Sequence, residues 1–133
     1  MSTNFSSTSI RIAFVGPLTG DDASEGNALL NGMSLYLDLV NKQGGIQGRK
    51  ILLDTFDDQN ERSRARQRAL KIAEQNQALA VVGHVAGDCS LSGGRVYKQA
   101  NIPALSPVSQ DAEVTQGNDW YFSLMYTNRM EAR

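Results

Sequence analysis

His84 and Cys89 are the single histidine and the single cysteine of a 133-residue chain. Both fall in one short segment, Gly83-His-Val-Ala-Gly-Asp-Cys-Ser90. Imidazole is the side chain best suited to moving a proton near neutral pH, so His84 could serve as a general base. It has nothing to activate: no Gly-x-Ser-x-Gly elbow occurs, and no other nucleophile stands at a recognised spacing. His84 therefore reads as a structural histidine, or as one that braces a residue in contact with a ligand. Cys89 lies near a predicted helix N-terminus, a position that can lower a thiol pKa; such a cysteine is more often buried and inert. One cysteine excludes an internal disulfide, and one histidine leaves no His/Cys zinc set. No cofactor and no catalysis are expected, because no activated nucleophile, paired carboxylates or metal set can be assembled.

Phosphate chemistry is also missing. Gly16-Pro-Leu-Thr-Gly20 does not have the GxGxxG spacing of a dinucleotide loop, and no GK[ST] follows the first strand as a P-loop would need. A phosphate-accepting receiver domain requires an aspartate at the end of its third strand, where Gly83-His84 stands. What remains is three loops of small and polar residues, Pro17–Glu25, His84–Asp88 and Pro107–Asp111.

The flanking segments say how those loops are held. Ile10–Gly16 is a continuous apolar run with β-branched residues, the pattern of a central parallel strand covered on both faces. A helix should begin near Gly26 or Asn27, with Leu29, Met33, Tyr36, Leu37 and Val40 facing the sheet. Gly44 and Gly45 stop it, one of them in the left-handed region. Lys50–Asp57 is a second strand, and Asp57-Asp-Gln-Asn60 should cap a second helix running to about Gln77, with Ala65, Ala69, Ile72 and Ala73 inward. The other face of that helix carries Arg62, Arg64, Arg66, Arg68 and Lys71. No aromatic or glycine-rich partner is interleaved with them, so they read as a solvated face and nucleic acid is not expected as a partner. Leu79–Gly83 is a third strand, and a third helix runs from about Asp88 or Ser90 to Ala100, with Asp88 as its N-cap. Ile102–Ser106 is a fourth strand, one helical turn falls near Ala112–Thr115, and Trp120–Met125 is a fifth strand. This alternation predicts an α/β fold: an open, doubly wound parallel sheet of flavodoxin-like order 2-1-3-4-5 in three α/β/α layers.

The bulk numbers fit one domain. Thirteen Lys+Arg stand against fourteen Asp+Glu, so net charge favours neither nucleic acid nor an acidic partner. No apolar run approaches the roughly 20 residues needed to span a bilayer. Residues 1–9 are rich in Ser and Thr and expected to be loose. They have neither the basic start nor the apolar centre of a signal peptide. Either a leader has been removed, or the domain is cytoplasmic.

Taken jointly, Gly16-Pro-Leu-Thr-Gly20, Asn41-Lys-Gln-Gly-Gly-Ile-Gln-Gly-Arg-Lys-Ile51, Asp57-Asp58 and Ser106-Pro107 resemble one family in order and spacing. That family is the type I periplasmic solute-binding proteins, which include the leucine/isoleucine/valine-binding proteins of branched-chain amino-acid transporters. The resemblance covers residues 10–128 and matches the N-terminal lobe of a two-lobe protein. Residues 129–133 would be the start of a crossover to a second lobe. It implies a non-enzymatic receptor that binds a small polar solute, an amino acid or related compound, between two lobes. The receptor would serve an ABC importer's membrane permease or a sensor module, in the periplasm or another extracytoplasmic space, with a cytoplasmic regulator as the alternative. It places ligand contacts at Ser24 and Glu25, at the backbone of Val85, Ala86 and Gly87, and at Val108 and Gln110. Gly87 lacks the hydroxyl, and Gln110 replaces the threonine, that amino-acid binders carry there. An isolated first lobe should bind weakly and, lacking the returning segments that complete it, form a homodimer. The alternatives of another class are an enzyme on a Rossmann- or flavodoxin-like sheet, revealed by a bound flavin or nicotinamide-dependent turnover, and an interaction module, revealed by oligomers indifferent to ligand.

Overall fold

The computed structural model describes residues 9–126. Five parallel strands form one sheet in the order β2-β1-β3-β4-β5, as the alternation predicts. They are β1 (Ser9–Gly16), β2 (Lys50–Asp57), β3 (Ala78–Gly83), β4 (Ala104–Ser106) and β5 (Tyr121–Ser123). Three helices connect them: α1 (Ala23–Lys42), α2 (Arg62–Gln75) and α3 (Gly87–Ala100), with a short 3-10 turn at Ala112–Val114. The expected loose segment and the expected crossover at 129–133 lie outside the described residues, except that Ser9 already belongs to β1.

Right-handed crossovers decide which face each helix covers. The step from β1 to β2 runs opposite to the steps from β2 to β3 and on to β4. So α1 lies alone on one face, and α2 and α3 share the other. The main core is on the second face. It joins Ala13 and Val15 of β1, Val81, Ala104 and Tyr121 to Ala69, Ile72, Val96 and Tyr97. The two helices pack against each other, with Ala65 and Ala69 buried on α2 and Ser92 Oγ of α3 donating to the Arg62 carbonyl at 3.3 Å. Gly93 and Gly94, also buried, make room instead for His84 and Tyr121.

The first helix departs from expectation. It begins at Ala23, not Gly26, and Gly26 is its one buried residue. A Cβ at Gly26 would overlap the Pro17 carbonyl, so α1 starts backbone against backbone on its own loop. Tyr36, expected to face the sheet, is 65% exposed, as are Leu35 and Leu39 in large part; a lone helix on a wide sheet covers only its own stripe. The helix ends in a Schellman turn: Gly45 N–H donates to Val40 C=O at 2.9 Å and Gly44 N–H to Asn41 C=O at 3.1 Å. Gly44 and Gly45 have positive φ, 104° and 72° respectively. Asn41 then pairs both its amide groups with the Ile51 backbone at 2.8 and 2.9 Å, covering part of the free edge of β2.

Two caps differ as well. Neither Asp57 nor Asp58 caps α2; the N-cap position is Glu61, with no side-chain cap bond. Ala86, not Asp88, is the N-cap position of α3. The first two aspartates are drawn into the loops instead.

Candidate functional site

Strands that all run one way put all their exit loops on one edge. Four loops meet there. Besides the three foreseen, the turn after β2, residues 58–61, lies at the same edge.

The first two loops are laced by one carboxylate. Asp57 Oδ1 accepts the N–H of Leu18 at 2.9 Å and of Gln59 at 3.0 Å, and Oδ2 accepts the Thr19 hydroxyl at 2.5 Å. Gln59 Nε2 donates to Thr19 Oγ1 at 2.7 Å, and Asn60 Nδ2 to Asp22 Oδ2 at 2.9 Å. Partial burial pushes the Asp57 pKa up. The Thr19 hydroxyl and the backbone N–H groups outweigh it and hold the carboxyl below 3.8. Sequence reading took Asp57 for a helix cap. The signal that could have corrected it is the doublet Asp57-Asp58, of which one helix start can use only one member.

Under the loops lies a sealed polar chain. Asp58 and His84 are both 0% exposed. Asp58 Oδ2 and His84 Nδ1 are 2.7 Å apart, and His84 Nε2 is 2.8 Å from the Tyr97 hydroxyl. In the neutral tautomer with its proton on Nδ1, His84 donates to Asp58 and accepts the Tyr97 hydroxyl at Nε2. The Gly83–His84 peptide bond is cis. The Tyr121 hydroxyl accepts the His84 N–H at 2.9 Å and donates to the Gly83 carbonyl. Burial raises the pKa of Tyr97 and of Tyr121, keeping both hydroxyls protonated. A Cβ at Gly93 would strike the His84 ring, so α3 itself walls the imidazole in. His84 is thus a structural histidine that locks the loop after β3 to α2's entry turn, α3 and β5. Tyr97 and Tyr121 were not foreseen in this role; nothing in their spacing marks them.

Cys89 is buried too. Burial first, then the negative charges of Asp58 and Asp88, push its pKa up to about 12, the reverse of an activated thiol.

The residues placed at the rim by resemblance fall as follows. Ser24 and Glu25 are exposed on the first turn of α1. The Val85 side chain is buried, and its methyl would lie 3.2 Å from a Cβ on Gly16, so only its backbone can face a ligand. Ala86 and Gly87 open α3, and Val108 and Gln110 are half-buried in the loop after β4. Gly87 and the last loop meet: a Cβ at Gly87 would lie 3.1 Å from Asp111 Oδ2 and 3.5 Å from Ser109 Oγ. Asp111, unforeseen, also holds the Glu113 N–H at 3.0 Å. The first loop is therefore stitched to the second by hydrogen bonds, the second is tied to the third through Asp58 and His84, and the third lies close against the fourth at Gly87. Ser24 and Glu25 share no hydrogen bond with the third and fourth loops among the described residues. The well-formed hollows are on the flanks instead, one of them between α1 and β2 lined by Leu37, Asn41 and Ile51. The rim is an open surface, as one wall of a cleft would be.

A family model described as periplasmic binding protein matches residues 9–133. An amino acid binding protein of Pseudomonas aeruginosa is 37% identical over 105 residues, covering 79% of this chain and 28% of that protein. The leucine-specific-binding protein of Salmonella typhimurium is 29% identical over 107 residues, 80% of this chain and 29% of its own. Among solved structures, the branched-chain amino acid transporter substrate-binding protein LivJ of Streptococcus pneumoniae, in complex with isoleucine, superposes with a TM-score of 0.85 at 27% identity. It covers 90% of this chain and 34% of its own. An ABC transporter substrate-binding protein of Desulfitobacterium hafniense gives 0.84 at 29% identity, covering 93% and 36%. The chain thus spans under a third of the length of the curated relatives it matches. Its sheet order, its rim of loops and its match along the whole described length agree: the chain belongs to the periplasmic binding protein family.

Proposed function

We propose that this chain is the first lobe of a non-enzymatic receptor, with a small polar solute, an amino acid or related compound, held against its loop rim. The observation that carries the reading is the convergence of four exit loops on one open edge, in a chain whose relatives include amino-acid-binding proteins. The contacts proposed are Ser24, Glu25, the backbone of Val85, Ala86 and Gly87, and Val108 and Gln110. The receptor would deliver its solute to a membrane permease, or report it to a sensor module, from an extracytoplasmic space. His84 and Cys89, the two side chains best suited to chemistry, are sealed off, which favours binding over turnover.

Half a cleft binds weakly, so the test is an amide-resolved NMR titration of the 133-residue chain. L-Leucine, L-leucinamide and benzoate serve as probes. Shifts confined to the rim amides, abolished in Gly87→Leu, are expected. Shifts that survive Gly87→Leu, or that map to the flanks, would place the pocket elsewhere.

A further inference from the structure

We infer that the groove between α2 and α3 is a docking surface for an acidic segment of a partner protein. It stands apart from the rim and from the ligand reading. The groove has a volume of about 620 Å³ and is lined by Glu61, Arg62, Ser63 and Arg66 of α2's start and by Ser92 and Arg95 of α3. Sequence alone takes Arg62 and Arg66 for part of a solvated helix face. It does not bring Arg95, some thirty positions on, beside them. The packing of α2 against α3 does, with Ser92 Oγ donating to the Arg62 carbonyl at 3.3 Å.

Three features of this groove run against the stability of the fold. Arg62 and Arg66 are like charges one helical turn apart, an unfavourable pairing, and Arg95 adds a third from across the seam. Arg62 sits in the first turn of α2, at the positive end of the helix dipole, where acids are favoured; that turn holds no acid. The helix N-terminus also lacks a side-chain cap, leaving backbone N–H groups without one. The one carboxylate lining the groove, Glu61, is paired through Oε2 with Arg64 Nε at 2.7 Å. Among the described residues, Arg62, Arg66 and Arg95 make no ion pair.

Each of these defects is removed by the same thing, carboxylates supplied from outside. Guanidinium forks match carboxylates two bonds at a time, and the uncapped N-terminus adds donors of its own. The positive charges are spread along the groove, a turn apart on one helix and across to the other, which suits a chain carrying several carboxylates more than one small anion. No aromatic side chain lines it, and the net charge of −1 gives no wider positive field, so nucleic acid fits poorly.

The test is calorimetry and amide-resolved NMR on the 133-residue chain with a short Glu-rich peptide. Inorganic phosphate and a single-stranded oligonucleotide form parallel arms. Expected are peptide-induced shifts at Arg62, Ser63, Arg66, Ser92 and Arg95, weakening as salt rises. In Arg66→Glu/Arg95→Glu the affinity should fall about 10-fold or more. Arg66→Gln/Arg95→Gln should lose less. Arg66 and Arg95 are exposed, so both variants should keep the wild-type spectrum elsewhere. The inference is overturned by silence of these amides toward the peptide, or by unchanged affinity in both variants. It is equally overturned by phosphate shifting the same amides at the same concentration, which would make this a small-anion site, or by tighter binding of the oligonucleotide.

Discussion

Gly26 is the position where the least chemistry decides the most geometry. It has an ordinary helical backbone, so its freedom of φ is not needed. What is needed is the absence of a side chain, because the Pro17 carbonyl fills the place where Cβ would be. Gly26→Ala must push α1 off its loop. We expect a loss of about 1–3 kcal/mol, the usual cost of overpacking, read as a lower urea midpoint, with chemical-shift changes centred on Pro17 and Leu18. An unchanged midpoint would mean that the loop yields freely. At this scale the layout of the loop rim was legible. Gly87, Val108 and Gln110 could be placed at strand ends because loop position follows from strand order. The tyrosines that hold His84 could not be, because a buried hydroxyl is chosen by three-dimensional proximity across α3 and β5, which no local pattern encodes.

Among the elements, the strands and helices were legible because hydrophobic period and glycine stops are local signals; only their ends moved, as α1's did. The caps were misread for a physical reason. An aspartate ahead of a helix can satisfy the helix or the neighbouring loop, and Asp57 has a hydroxyl and two loop amides within reach in Pro17–Thr19. That choice gives a pH prediction with a definite sign. A carboxylate whose pKa is depressed by folding adds stability above its unfolded value, and that stability disappears as pH falls through the folded value. Wild type should therefore be more stable than Asp57→Asn at neutral pH, and the gap should close as pH drops through and below 3.8. Denaturant titrations of both proteins along a pH series check it. A gap that persists in acid would show that the loop is held by something other than charge. The same substitution should broaden the amide signals of Leu18, Thr19 and Gln59 together, since one carboxylate holds all three.

For the molecule as a whole, burial is lopsided. One sheet face is covered by two helices and the other by α1 alone. At the β5 edge, Phe122 and Leu124 are 57% and 68% exposed, and Leu35 and Tyr36 project from α1. Apolar surface beside a strand edge that no described strand covers invites pairing with a second copy. We propose that the isolated chain forms a homodimer through that side, by edge pairing of β5 or exchange of the segment that follows it. Light scattering across a concentration series should show mass rising toward the dimer, and Phe122→Lys should return it to monomer. A monomer at every concentration would mean that residues beyond β5 cover this face.

The central place of β1 has a further meaning when the molecule is considered in time. Of these five strands, the first to leave the ribosome has neighbours on both sides, and those neighbours are made at different moments. Once β2 emerges, one flank of β1 can be paired and α1 can close over it. The other flank stays bare until α2 and β3 have been synthesised, since Ala13 pairs with Val81. During that interval the nascent chain presents an apolar seam in its middle. Each later strand shifts the seam outward, from β1 to β3, to β4, and finally to β5. A pause in translation within α2 would prolong the exposure of β1, the most buried strand of the finished sheet. The hazard to the growing chain is therefore greatest where the finished fold is most secure.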